Sequence, residues 1–271
     1  MSAPAPFDCH THVFTRDLPL APDAAYRPDV EGPVDRLIGL LDRHGLAGAV
    51  LTQPSFFGTD NAHMLGALAA APERLRAVVA VTPDAAGDLT HAGVAGLRFN
   101  LDGRAVPDLA APPWRALLER VAWSGQHVEV QAQGEQWHVV LPPLLAIGVR
   151  VVAEHFGRPA DPSCAGWQAL LDAARRGDVW AKLSAPYRNP GVEARAAAAA
   201  LLDALGPDRL VWGSDWPWLR HREITDYAAT LAWIEDWIPD AATRRRILVD
   251  NPATLYRFGS AADPGSWASL V

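Results

Sequence analysis

Cysteine is nearly absent from this 271-residue sequence: Cys9 and Cys164, far apart in the chain, offer no disulfide framework. A reducing cytoplasm is therefore the expected compartment. No apolar run approaches membrane-spanning length, and the opening Met1-Ser2-Ala3-Pro4-Ala5-Pro6 has neither the basic stretch nor the apolar core of a secretory signal. The expectation is a soluble, unexported protein with no membrane partner. An excess of basic charge is lacking too. The formal net charge of −7 argues against nucleic acid, whose phosphates require a basic face. No glycine-rich dinucleotide fingerprint follows the first apolar run, and there is no low-complexity segment or charge-rich stretch of disordered composition.

What is present is an ordinary globular composition, 49% hydrophobic and 20% charged, in a chain long enough for one large domain over residues 1–271. The stretch Phe7-Asp8-Cys9-His10-Thr11-His12-Val13 sets the pattern. If it is a strand, His10 and His12 leave the same side, roughly 6–7 Å apart. Two neutral imidazoles so placed can hold one metal ion or flank one polarised carbonyl.

Further apolar runs follow at 49–53, 75–81, 96–100, 127–131, 149–155, 179–183 and 210–212, separated by helical stretches at 34–44, 61–71, 85–91, 114–124, 139–147, 166–176, 193–205 and 223–256. Eight strands alternating with helices, about 30 residues apart, are the pattern of a (β/α)8 TIM barrel. An open doubly wound sheet is the alternative, weakened because the polar motifs recur at most strand ends rather than at one switch point. Between the first strand and the first helix, residues 14–33 form a proline-rich loop carrying Tyr26, long enough to be a lid or binding loop.

In a parallel barrel all strands end on one face, where the active sites of such barrels lie. His10 and His12 from strand one, His155 after strand six and Asp215 after strand eight should meet there. A carboxylate can take a proton from water while imidazoles, or a metal on them, polarise a carbonyl. Each of the four alone is as readily structural; together at strand ends they point to a hydrolytic centre. Arg98, Arg104, Arg158 and Arg188 lie near the same mouth and suit a substrate bearing carboxylates, with Tyr26 and Ser55 as further polar contacts. Trp216 and Trp218 flank Asp215, while His44, His63, His91, His127, His138 and His221 read as structural or solvated.

The set Asp8-Cys9-His10-Thr11-His12-Val13-Phe14, Gln53-Pro54-Ser55 with Gly58-Thr59-Asp60-Asn61, Gly96-Leu97-Arg98-Phe99-Asn100, His155-Phe156-Gly157-Arg158-Pro159 and Trp212-Gly213-Ser214-Asp215-Trp216-Pro217 resembles the amidohydrolase superfamily. Within it the sequence is most similar to the branch of 2-pyrone-4,6-dicarboxylate lactonases, from Phe7 to about Phe258. The resemblance implies a (β/α)8 barrel that opens a carboxylated lactone in aromatic-compound catabolism. Asp215 would activate water, His10, His12 and His155 would polarise the lactone carbonyl, and the four arginines with Tyr26 and Ser55 would hold carboxylates. It implies no required cofactor, with a single divalent ion such as zinc on His10, His12 and Asp215 as the other arrangement. That arrangement goes with hydrolysis of sugar lactones or sulfomuconolactone; a superfamily decarboxylase and a non-catalytic barrel are further alternatives. Two departures stand out. Gln131, a poor zinc ligand, occupies the strand-five position where the superfamily often has a histidine, and Trp218 stands where the pyrone lactonases carry one after Trp216-Pro217. The apolar outer helices suit a monomer or a homodimer.

Overall fold

A computed structural model describes residues 5–177 and 179–259. Eight parallel strands run in sequence order around one sheet: β1 (Phe7–Thr11), β2 (Gly48–Thr52), β3 (Leu75–Val79), β4 (Val94–Asn100), β5 (His127–Gln131), β6 (Arg150–Ala153), β7 (Val179–Ser184) and β8 (Leu210–Gly213). Around them lie α1 (Val34–His44), α2 (Ala62–Ala70), α3 (Pro112–Trp123), α4 (Gln136–Ile147), α5 (Ala165–Arg176), α6 (Ala194–Leu205) and α7 (Tyr227–Trp237). This is the (β/α)8 barrel that the alternating pattern predicts. Nearly every strand residue is buried because helices cover the outside and side chains fill the inside. Ala49 and Leu51 belong to the large layer between sheet and helices, with Leu37, Leu41 and Trp137. Val50, between them, faces the other way and packs with Cys9, Val78, Val152, Val211 and Tyr256 inside the barrel.

The barrel closes where β1 meets the residues just past β8. Asp215 N donates to His10 O at 2.9 Å and His12 N to Trp216 O at 2.9 Å. Asp8 fastens the same seam from inside, its Oδ1 accepting from Ser214 N at 2.9 Å and from His10 N at 3.1 Å, its Oδ2 from Tyr227 OH at 2.6 Å. Gly213 permits the approach: a Cβ there would lie 2.5 Å from the His10 Cβ, so a side chain would push the seam apart.

Several elements differ from the sequence expectation in length. β1 stops at Thr11, and its register against β2 shifts between Asp8 and Thr11, so the histidine segment is bulged and His12 lies one residue beyond the strand. The stretch after β3 is only a 3₁₀ turn, Gly87–Thr90. The expected 223–256 helix is broken: α7 ends at Trp237, and α8 (Ala241–Arg245) restarts where Asp240 accepts from Thr243 N, because Pro239 cannot donate. A π turn, Arg246–Asp250, and α9 (Asn251–Leu255) complete the helices among the described residues. The 14–33 loop is pinched at its neck by paired Phe14–Gly32 backbone bonds and packs Leu18, Leu20 and Tyr26 around Phe14, Phe56, Phe57 and Leu219. Among the described residues no helix is long and apolar enough to cross a membrane.

Candidate active site

At the C-terminal ends of the strands opens a cleft of about 260 Å³, lined by His12, Tyr26, Ser55, Arg98, Gln131, His155, Arg188, Asp215 and Arg220, with the 102–104 segment at its edge. The seam brings three of the four expected catalytic residues together. Asp215 Oδ1 lies 3.5 Å from His10 Nε2 and 3.3 Å from His12 Nε2. His155 arrives from the far side of the barrel, its ring 4.6 Å from that of His10, and its Nδ1 is 2.9 Å from Ser184 Oγ. Both His155 and Asp215 sit on positive-φ backbone, at 52° and 60°, a sparsely populated region that turns each side chain inward at its strand end.

The two oxygens of Asp215 are treated differently. Oδ2 accepts from Tyr187 OH at 2.7 Å and from Arg188 Nε at 2.7 Å, with Arg188 Nη2 also at 2.7 Å. Oδ1, fully buried, has no hydrogen-bond partner of good geometry and faces the imidazoles. Burial alone would raise the carboxyl's pKa, but the Arg188 guanidinium first, with the facing His12 and His155 rings, outweighs it and holds the group well below the usual carboxylate range. Burial first, then the Lys182 charge, pushes His10 well below the ordinary histidine value; burial first, with Arg188 and Arg98, does the same to His155 despite the opposing pull of Asp215. The centre thus presents one ionised carboxylate beside the neutral rings of His10 and His155, protonation states that suit water activation.

The arginines divide. Arg188 lines the cleft while clamping Asp215. Arg98 also lines it, yet its guanidinium pairs in fork fashion with Glu154, at 2.9 and 2.7 Å, and donates to Gln53 O at 2.6 Å and Gln131 Oε1 at 2.8 Å. Arg104 reaches the rim and is 3.0 Å from Asp23 of the 14–33 loop. Arg158 turns aside to Asp102, 3.0 Å away, and is not among the residues lining the cleft. Tyr26 and Ser55 both line it, as expected, and burial raises the Tyr26 hydroxyl's pKa. Trp216 and Trp218 are core residues packed behind Asp215. His127 is buried against Glu129 beneath the cleft, a structural place as the sequence suggested.

Three contributors escape sequence reading. Tyr187, next to Arg188, had a usable signal in its place immediately after strand seven. Arg220 lies beyond the Trp-Pro motif with nothing to mark it, and its guanidinium stacks 5.4 Å from the Tyr26 ring centre. Lys182, a charge in the middle of an apolar strand, is the anomaly that asks for a buried partner.

His10, His12 and Asp215 form a group able to hold a metal ion, with one ligand atom from each lying within 4.8 Å of the others. Their hydrogen bonds test how well they fit one. His12 Nδ1 is 2.7 Å from Thr52 O, so that nitrogen carries the proton and Nε2 turns a lone pair on Asp215. His12 and Asp215 therefore suit an ion. His10 does not as placed: the ammonium of Lys182 is 3.2 Å from its Nδ1, which leaves the ring proton on Nε2, the nitrogen that would have to ligate.

The amidohydrolase family model matches residues 7–258. Among curated proteins, a 2-pyrone-4,6-dicarboxylate hydrolase of Comamonas testosteroni is 30% identical over 92% of this chain and 89% of its own length. A D-galactarolactone isomerase of Agrobacterium fabrum (strain C58) is 32% identical over 92% and 90%. Among solved structures, a candidate 2-pyrone-4,6-dicarboxylic acid hydrolase from Pseudomonas putida superposes with a TM-score of 0.85 at 37% identity, covering 96% of this chain and all of that one.

Proposed function

This chain belongs to the amidohydrolase family, and on that premise we propose that it hydrolyses a carboxylated lactone, 2-pyrone-4,6-dicarboxylate or a near analogue from aromatic breakdown, in the cytoplasm. The observation that carries the reading is the divided Asp215: one oxygen clamped by Tyr187 and Arg188, the other turned toward the imidazoles below a cleft whose lining includes Arg104, Arg188 and Arg220. The arginines supply the charge that a dicarboxylate needs inside an acidic protein.

In this mechanism the substrate's carboxylates rest among Arg188, Arg220 and the rim Arg104, with Tyr26 and Ser55 beside them. The lactone carbonyl oxygen lies against the Nε2–H of His10 and the ring of His155, donors that stabilise the oxyanion as water attacks. Asp215 Oδ1 takes the proton of that water, with the lone pair of His12 Nε2 as the second acceptor orienting it. Collapse of the tetrahedral intermediate breaks the ring ester C–O bond, and the proton held by Asp215 passes to the departing ring oxygen. The net change is addition of one water. Because His10 is a donor rather than a ligand in this arrangement, the proposed reaction runs without a metal; a divalent ion on His12 and Asp215, serving neutral sugar lactones, is the competing reading. Every residue used comes from one chain, so a monomer suffices.

The test is turnover of the pyrone dicarboxylate beside neutral sugar lactones and a sugar-acid lactone, with and without chelator, products being weighed by mass spectrometry. Chelator-resistant gain of one water by the dicarboxylate is the expected result. Turnover confined to neutral lactones and abolished by chelator, or a rearranged lactone of unchanged mass, would replace it with a metal-dependent lactonase or an isomerase.

A further inference from the structure

Lys182 is the one lysine in the sequence; the other 23 of its 24 Lys and Arg residues are arginine. It lies on β7 inside the barrel, wholly buried, and its ammonium has an acceptor for each of its three protons: Glu129 Oε2 at 2.6 Å, Cys9 O at 2.7 Å and His10 Nδ1 at 3.2 Å. A compact tetrahedral ammonium can serve three acceptors converging on one point, whereas a planar guanidinium fork cannot. The position where this arginine-rich chain keeps a lysine is thus one whose geometry demands it.

We propose that Lys182 is a positioning residue that sets the tautomer of His10, making the two histidines of the H-x-H pair chemically opposite. An ammonium has three donors and no lone pair, so the nitrogen it faces must be the acceptor and the neutral ring carries its proton on Nε2. Thr52 O imposes the reverse on His12, whose proton sits on Nδ1. The two rings, 5.0 Å apart and nearly perpendicular, therefore meet Asp215 Oδ1 as one donor and one acceptor. The donor is matched to a developing oxyanion, the acceptor to a water proton. Glu129 supplies the counter-charge that keeps the ammonium in place, and is itself held by Tyr256 OH at 2.9 Å and His127 Nε2 at 3.3 Å. The catalytic consequence rests on the lactonase reading; the tautomer rests on hydrogen bonds alone.

Long-range 1H–15N correlation spectra of 15N-histidine-labelled wild-type protein, with His10→Gln and His12→Gln for assignment, read the tautomers directly. The expected result is a protonated Nε2 on His10 and a protonated Nδ1 on His12. A proton on His10 Nδ1 overturns the proposal whether or not any lactone is turned over, so its failure is separate from failure of the proposed function. Kinetics form the second arm. Lys182→Met combined with Glu129→Gln removes both buried charges together and leaves neither orphaned. Its kcat should fall roughly 10–100-fold below wild type, the usual loss when a histidine's outer partner is removed, with KM within about twofold. A wild-type kcat in this variant would overturn the positioning role.

Discussion

Two buried clusters with almost the same parts sit one above the other in this barrel. The upper joins a carboxylate, Asp215, to Arg188, a tyrosine hydroxyl from Tyr187 and the histidines His10 and His12; the lower joins Glu129 to Lys182, a tyrosine hydroxyl from Tyr256 and His127. What separates them is the carboxylate. Both oxygens of Glu129 are satisfied, whereas Asp215 Oδ1 has no hydrogen-bond partner. A buried carboxylate with both oxygens satisfied is fixed in place, and one with an oxygen held open can take a proton. Two clusters of nearly the same residue types thus differ in whether the carboxylate keeps an oxygen free to accept a proton.

The sharpest way to break the comparison is Asp215→Asn. It keeps the shape and an oxygen for Tyr187 and Arg188 but removes the base, so kcat should drop by about 10²–10⁴ with little change in thermal midpoint. Near-normal turnover would mean that Oδ1 is as inert as the oxygens of Glu129.

Next comes the lower cluster. Glu129→Ala strands the ammonium of Lys182 and should cost roughly 3–5 kcal/mol in denaturant unfolding, the range for breaking a buried pair from one side. The same group makes a pH prediction. Burial would raise the Glu129 carboxyl, but Lys182 and then His127 bring it down from 4.5 to about 2. A depressed folded value gives stability that is fully present above the unfolded pKa of about 4.5 and lost as pH falls toward about 2. Wild-type unfolding free energy should therefore decline over that window more steeply than that of Glu129→Gln; parallel curves would show that Glu129 contributes nothing there.

The smallest expected effect is at the rim. Arg104 and Asp23 are 40% and 67% exposed, a pair worth at most about 1 kcal/mol, and Asp23 competes with a substrate carboxylate for the guanidinium. Asp23→Asn should lower KM for a dicarboxylate by up to about fivefold and leave kcat unchanged. A raised KM would show that Asp23 helps to shape the mouth instead.

Much of the upper cluster was legible in the sequence because its members follow apolar strands, and a parallel barrel sends every strand end to the same face. His10, His12, His155 and Asp215 needed only that rule. The partners did not follow from it. Arg98 reads as a carboxylate clamp, but its fork closes on Glu154, 56 residues away, because β4, β5 and β6 lie side by side in one register. Arg158 reads as a neighbour of His155, but its backbone turns left-handed, at φ 46°, and the side chain swings to Asp102. The lower cluster was invisible for the same reason: Lys182, Glu129 and Tyr256 meet only once β5, β7 and the C-terminal turn share the barrel interior.

The seam between the first and last strands carries one more consequence, for the protein's biosynthesis. His10 leaves the ribosome well before Asp215, and the backbone bonds joining them, with Asp8 bridging to Ser214 and Tyr227, are the bonds that shut the barrel. On the proposed mechanism, assembly of the site and closure of the barrel are therefore a single event. A nascent chain halted before this seam holds His10 and His12 yet lacks Asp215, the base proposed above, and site and barrel are completed together when β8 reaches β1.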